Sequence, residues 1–304
     1  MSDSFSFSGV IPALVSPLTE SGEANVAATR ALVRAMLTED VPGLYILGST
    51  GQGIMLPEAT RRAIAETVAD EVAGRIPVVA HVGAVTTDEG IRLARHAASC
   101  GIDGVSAIAP VIGGGLTDIV FRHYEGIAGA TDLLFVVYHF DGASGMAQGA
   151  AAYGDRLLSL PNIAGIKMTS RDMHAMADLH AKIGRQIEIY SGADELMCQA
   201  VLSGAKAAIG TYYNVWPRAC ALARDATMTG RVNEAVSFMH AFRKGIFDTV
   251  FDAWGFMRAA LRLRFDVDVG PARAPLGSSS YVWEDAEVSR ILKSVDDAAP
   301  GSVS

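Results

Sequence analysis

Apolar residues in this chain fall into two alternating patterns. Short, nearly continuous apolar runs occupy residues 10–15, 44–47, 77–82, 104–108, 133–138, 163–167, 187–190 and 207–210. Runs of this length between polar or glycine-rich stretches read as strands buried on both faces. Longer segments with helical spacing lie at residues 27–38, 57–72, 87–99, 117–128, 147–158, 171–183, 195–202 and 216–228. In the first of these, Ala28, Leu32, Val33 and Met36 share one face. The second opens with Pro57 and carries Glu58 in its first turn, both of which favour a helix start. A strand followed by a helix, repeated eight times, predicts an α/β fold of the (β/α)8 TIM-barrel type. A doubly wound sheet competes with it, but that fold normally places a glycine-rich phosphate turn after its first strand. Here that position reads SPLTESG. Residues 231–265 and 284–294 read as additional C-terminal helices. The expected organisation is a barrel over residues 1–230, a helical extension packed on it over 231–297, and a flexible tail over 298–304.

Composition narrows the class of function. Half of the 304 residues are hydrophobic, enough for one large core. The formal net charge is −8 and no run of Lys or Arg appears, so nucleic acid is not an expected partner. Cys100, Cys198 and Cys220 are scattered and odd in number, which fits reduced thiols in the cytoplasm. The start MSDSFSFSGV lacks the charged and apolar regions of a signal peptide. The longest apolar stretches fall short of the ~20 residues of a membrane span. The expectation is a cytoplasmic protein with no membrane partner.

The scarcity of lysine permits an elimination. The chain has only Lys167, Lys182, Lys206, Lys244 and Lys293. In a barrel, catalytic groups gather at the C-terminal ends of the strands. Lys182 and Lys293 stand near helix ends, Lys244 lies within a helical segment, and Lys206 precedes its strand. Lys167 alone ends one, between apolar Ile166 and Met168. Burial there would disfavour the ammonium and free the amine as a nucleophile; a lysine reaching out to water is the plain alternative. Other strand ends add to the picture. The second run leads into GSTGQG, where Ser49, Thr50 and the amides around Gly51 could hold an anion. The fifth ends in FVVYHF with Tyr138, and the seventh in YSGADE with Gly192, Asp194 and Glu195. A plain bend, a core tyrosine and helix-capping acids explain each of these alone. Together they bring an amine, a phenol, an anion-binding turn and hydroxyl-binding acids to one mouth, a set suited to Schiff-base chemistry on a 2-oxo acid.

Read in order, GVIPALVSPL, GSTGQ, GRIPVVAHVG, GIDGVSAIAP, VVYHF, PNIAGIKMTS, YSGADE and IGTYYN resemble the dihydrodipicolinate synthase and N-acetylneuraminate lyase family of pyruvate-dependent class I aldolases. The resemblance covers about residues 9–276, and Thr169 with the Gly192, Asp194, Glu195 segment is closer to the neuraminate lyase branch. It implies Lys167 as the Schiff-base lysine and Tyr138, aided by Ser49, as the proton-transfer group. Thr50 and Gly51 would hold the carboxylate, and Thr169, Gly192, Asp194, Glu195 and Thr211 the sugar portion. It implies a small-molecule 2-oxo acid substrate with a pyruvate moiety, no cofactor or metal, and a homotetramer built as a dimer of dimers. The chain departs from the pattern at several points. Val111 and Ile112 replace an aromatic pair whose tyrosine joins a proton relay in the neighbouring subunit, Gln52 replaces an acid, and His139 replaces an asparagine. Ala143 stands near the arginine that holds a dicarboxylate in dihydrodipicolinate synthases, which speaks against that product. The implied activity is cleavage of an N-acetylneuraminate-like 3-deoxy-2-oxo sugar acid to pyruvate and an aldehyde. Dehydration of a 2-oxo-3-deoxy sugar acid, a dihydrodipicolinate synthase-like condensation, and a non-catalytic 2-oxo acid-binding barrel remain alternatives. The histidines form no H-E-x-x-H pattern, and His174 with Asp178 reads as a solvated helical pair.

Overall fold

The computed structural model of the chain describes residues 7–141 and 149–301. Among the described residues, eight parallel strands form one sheet in the order β1-β8-β7-β6-β5-β4-β3-β2. They are β1 (Gly9–Pro12), β2 (Leu44–Ile46), β3 (Val78–His81), β4 (Gly104–Ile108), β5 (Leu134–Phe140), β6 (Ile163–Thr169), β7 (Glu188–Ser191) and β8 (Ala207–Gly210). The ring closes between its first two members, where Ala13 bridges Tyr45 in parallel and the Leu14 N–H donates to the Tyr45 carbonyl at 2.8 Å. The architecture is a TIM barrel, as the alternation of apolar runs predicts.

The helices that follow the strands are α1 (Val26–Thr38), α2 (Glu58–Val72), α3 (Thr87–Ser99), α4 (Thr117–Ala128), α5 (Ala150–Leu158), α6 (Met173–Ile183), α7 (Met197–Leu202) and α8 (Pro217–Met228). Side chains of Asn25, Thr86 and Asp172 accept the amides of Ala28, Glu89 and Ala175, and so cap α1, α3 and α6. Some boundaries differ from the sequence reading for local reasons. β2 stops before Leu47 because that residue takes a left-handed backbone, φ 61°. Strands β5 and β6 each run two residues further, paired as His139 with Met168 and Phe140 with Thr169. Asp194–Leu196 forms a 3-10 turn ahead of α7. Residues 147 and 148, read as a helix start, lie outside the described residues.

Strand parity divides the core in two. Ile11, Ala13, Tyr45, Val79, Val136, Tyr190, Ala207 and Ile209 fill the barrel interior together with Phe7. Their neighbours, such as Ile46, Ala80, Val105, Val137, Ile166 and Met168, face outward and pack under the helices. Each fully buried aliphatic side chain there contributes about 1.5–3 kcal/mol of transfer free energy.

The segment 231–265, read as additional helices, comprises two, α9 (Val232–Thr249) and α10 (Ala253–Phe265), separated by a 3-10 turn at Val250–Asp252. α11 (Asp285–Asp296) follows. An aromatic seam of Trp216, Phe242, Phe256 and Trp283 joins these helices to α8. Of the stretch 298–304, expected as a flexible tail, Ala298 and Ala299 rest against the core and Pro300 is buried, while residues 302–304 lie outside the described residues. No helix among the described residues is long and apolar enough to cross a membrane.

Candidate active site

Lys182, Lys206, Lys244 and Lys293 are all at least partly exposed and each pairs with a carboxylate, from Asp155, Glu188, Asp248 and Asp297 respectively. Lys167 is 4% exposed. It lies inward on β6, in register with Tyr138 of β5. Its Nζ stands 4.4 Å from the Tyr138 ring centroid and 4.4 Å from that of Tyr45 on β2. The elimination therefore selects a buried lysine, but its stated cause needs correcting. Ile166 and Met168 point to the opposite face of the strand and pack under the helices. The enclosure of the amine comes from two aromatic rings on other strands.

The Tyr138 hydroxyl is the hub of the mouth. It lies 3.4 Å from Ser49 Oγ, and Thr169 Oγ1 donates to it, also at 3.4 Å. Burial alone raises a phenol. Here the Lys167 charge and the hydroxyls of Ser49 and Thr169 outweigh that burial, and the net shift is downward from 10.0. Gly192 leaves the space this cluster needs: a Cβ there would lie 2.1 Å from Thr169 Oγ1 and 3.1 Å from Lys167 Cε. Its N–H donates to the Met168 carbonyl at 2.6 Å, tying the end of β7 to β6.

The GSTGQG turn is held from three directions. The Gly51 carbonyl accepts Ser16 Oγ at 2.6 Å, and the Thr50 carbonyl accepts the Trp254 indole N–H at 3.1 Å. Buried Gln52 accepts the Arg273 N–H at 2.6 Å. Thr50 Oγ1 lies 2.7 Å from Thr211 Oγ1, so the two hydroxyls form a bridge between the β2 and β8 ends. A Cβ on Gly53 would sit 1.8 Å from the Leu47 carbonyl, so this turn tolerates no side chain at that position. Ser49 is the exposed member of the turn.

Asp194 is buried under the rim, where its Oδ2 accepts the Tyr212 N–H at 2.8 Å. Gly210 makes room for its Oδ1. Burial pushes this carboxyl up to about 7, against the pull of the Tyr212 amide. Gly192, Asp194, Glu195 and Thr211 line a cavity of about 210 Å³, with Arg171 beside them and Ile246, Phe247 and Val250 as an apolar wall. Arg171 Nε lies 3.7 Å from Glu195 Oε1. All ten site residues read from the sequence thus stand at the C-terminal end of the barrel.

Strand parity explains one position that departs from the family pattern. His139 points outward, with its Nδ1 3.3 Å from the Tyr153 hydroxyl, so it is not a mouth residue. Val111 and Ile112, 64% and 82% exposed, lie between β4 and α4. Ala143 lies outside the described residues. His174 and Asp178 form an exposed pair at 3.4 Å on α6.

Sequence reasoning missed the inner support of the mouth. The Tyr45 hydroxyl donates to Ser106 Oγ at 2.9 Å, and buried His81 accepts the Ile108 N–H at Nε2, 3.1 Å away. Burial, reinforced by the charges of Arg61 and Lys167, holds His81 well below its usual range, so the ring is neutral. Arg61 Nη2 donates to the carbonyls of His81 and Gly83. Asn214 ties β8 to β1 through the Ala13 carbonyl and the Val15 N–H. The period-2 pattern was the available signal, since it sends Tyr45 and His81 inward to the layer of Lys167.

Comparison with known proteins agrees with this geometry. The profile of the "Dihydrodipicolinate synthetase family" matches residues 6–295. The N-acetylneuraminate lyase of Citrobacter koseri is 33% identical over 208 residues, covering 68% of this chain and 69% of that protein. The 4-hydroxy-tetrahydrodipicolinate synthase of Methylococcus capsulatus is 30% identical over 238 residues, covering 76% of this chain and 81% of the relative. Among solved structures, the wild-type sialic acid aldolase of Ruminococcus gnavus superposes with a TM-score of 0.89 at 25% identity, over 97% of this chain and 99% of that one. With the family profile spanning nearly the whole barrel and its extension, the chain belongs to the dihydrodipicolinate synthetase family and is a carbon–carbon lyase of the class I aldolase type.

Proposed function

We propose that the chain cleaves a 3-deoxy-2-oxo sugar acid of the N-acetylneuraminate type into pyruvate and an aldehyde, through an imine on Lys167. The observation that carries this reading is the setting of Lys167: a buried amine flanked by the Tyr138 ring, whose hydroxyl meets Ser49 and Thr169. The neutral amine attacks C2 of the substrate, forming the N–C bond as the carbonyl pair moves to oxygen. With one further proton the carbinolamine releases water and leaves a protonated imine. The C4 hydroxyl then gives its proton to Tyr138 acting as base. The C3–C4 bond pair moves into C2=C3 and the imine pair onto nitrogen, so an aldehyde departs and a neutral enamine remains. Tyr138 returns the proton to C3, and water hydrolyses the resulting iminium to pyruvate and free lysine. The GSTGQ amides and the Thr50 hydroxyl hold the C1 carboxylate, and Asp194, Glu195 and Thr211 accept sugar hydroxyls.

A second reading follows from the family resemblance, in whose pattern Val111 and Ile112 stand in place of an aromatic pair with a relay tyrosine. With that phenol gone, loss of water from a 2-oxo-3-deoxy acid is the competing outcome of the same imine. Four copies working together in the cytoplasm belong to the first reading. Exposed Val85, Val111, Ile112 and Leu116 give apolar surface for contacts between copies, and light scattering on the purified chain checks the count.

The test is borohydride reduction in the presence of pyruvate. A stable adduct on Lys167 is expected, and Lys167→Ala should form none and lose at least about 10³-fold in turnover. No adduct at saturating pyruvate overturns the imine. A panel of 2-oxo acids, with pyruvate release and water loss followed separately, divides cleavage from dehydration.

A further inference from the structure

Tyr45 has no place in the steps above, yet it touches the reacting nitrogen. Its ring centroid is 4.4 Å from Lys167 Nζ, as close as that of Tyr138. The two rings meet edge to face, with centroids 6.5 Å apart and planes at 81°. Their hydroxyls serve different ends. Tyr138 Oη joins the Ser49 and Thr169 cluster, whereas Tyr45 Oη is turned away to Ser106 on β4. Tyr45 therefore presents only its face to the amine.

The ring is also held firmly. It is fully buried, and a Cβ on Gly48 would lie 2.6 Å from its Cε1, so the first glycine of the turn opens the space it fills. His81 closes another side, with centroids 6.5 Å apart. A leucine could fill much of this volume but would offer no π face to Lys167.

Condensation changes what that face meets. A neutral amine, a ketone and a proton become an iminium and water, so a positive charge appears on a nitrogen shielded from solvent. A desolvated cation over an aromatic face is stabilised by the ring quadrupole. Resting on the Schiff-base reading above, we infer that Tyr45 is a further catalytic residue, whose π face stabilises the protonated imine on Lys167.

The experiment varies the electron density of the face while keeping its shape. Tyr45→Phe is compared with versions carrying one, two and three ring fluorines on that phenylalanine. The apparent dissociation constant for pyruvate is read from the borohydride-trapped fraction at one fixed pH for every variant. Tyr138, His81 and Asp194, the other titratable groups whose charge reaches the site, are unchanged across the series. Tyr45→Phe should bind within about twofold of the wild type, and the constant should then rise stepwise to about tenfold at three fluorines. A flat series with the adduct still formed overturns the role of Tyr45 and leaves the imine standing. A loss already complete in Tyr45→Phe overturns it too, in favour of the hydroxyl bond to Ser106. Absence of an adduct in the wild type removes the imine itself, and the inference with it.

Discussion

The floor and the rim of the barrel mouth are built differently. On the floor, Lys167, Tyr138 and Tyr45 sit on strands, with side chains at most 4% exposed. On the rim, Arg171 and Glu195 project from turns with side chains 84% and 27% exposed, opposite Phe247 and Val250 from the end of α9 and the turn after it. Floor positions are fixed by hydrogen-bonded strand pairing and dense packing, which hold reacting groups to within fractions of an ångström. Rim positions carry few constraints, and changing them disturbs little else. Under the proposed function, bond making belongs to the first region and choice of substrate to the second.

That division can be broken or sharpened by experiment. The largest effect should come from the floor. Tyr138→Phe keeps the ring beside Lys167 but removes the proton carrier. Its kcat for cleavage should fall by about 10²- to 10⁴-fold, while borohydride still traps a pyruvate adduct. Equal loss of trapping would show that the hydroxyl acts before the carbon–carbon bond breaks.

Asp194, beneath the rim, gives the next effect, in stability. In the unfolded chain this carboxyl ionises near its ordinary 3.8, whereas in the fold burial holds the proton up to about 7. Its folded value is raised, so its favourable contribution is complete below pH about 4 and is lost as pH climbs to about 7. Asp194→Asn should therefore gain on the wild type across that window and level off above it, by up to about 4 kcal/mol. Urea midpoints at a series of pH values check this; parallel curves for the two proteins would refute the assignment.

The smallest effect should come from the rim proper. Glu195→Gln should raise KM for a polyhydroxylated substrate by about tenfold, with kcat within about twofold and pyruvate trapping unaltered. A matching fall in kcat would mean that rim and floor are not separable.

Much of the floor can be read from the chain because each strand carries its own parity. The inward placement of Lys167 follows from the alternation along β6, and that of Tyr138 from the same rule one strand earlier. The partnership of Lys167 with Tyr45 does not, because it joins residues 122 positions apart across the barrel. Apolar Ile166 and Met168 suggest an enclosure that parity assigns to the other face. The break in the C-terminal helices at Val250–Asp252 also escapes a pattern reading, since no glycine or proline marks it. Val250 of that turn lines the rim cavity, so one wall of that cavity arises from a kink that only tertiary packing reveals.

The indole of Trp254, at the start of α10, donates to the carbonyl of Thr50. Through that one bond, helices that carry no reacting group brace the loop expected to grip the acid end of the substrate. A substitution deep in the C-terminal third could thus weaken affinity from a distance, and shortening the protein there would loosen its catalytic mouth before the barrel itself came apart.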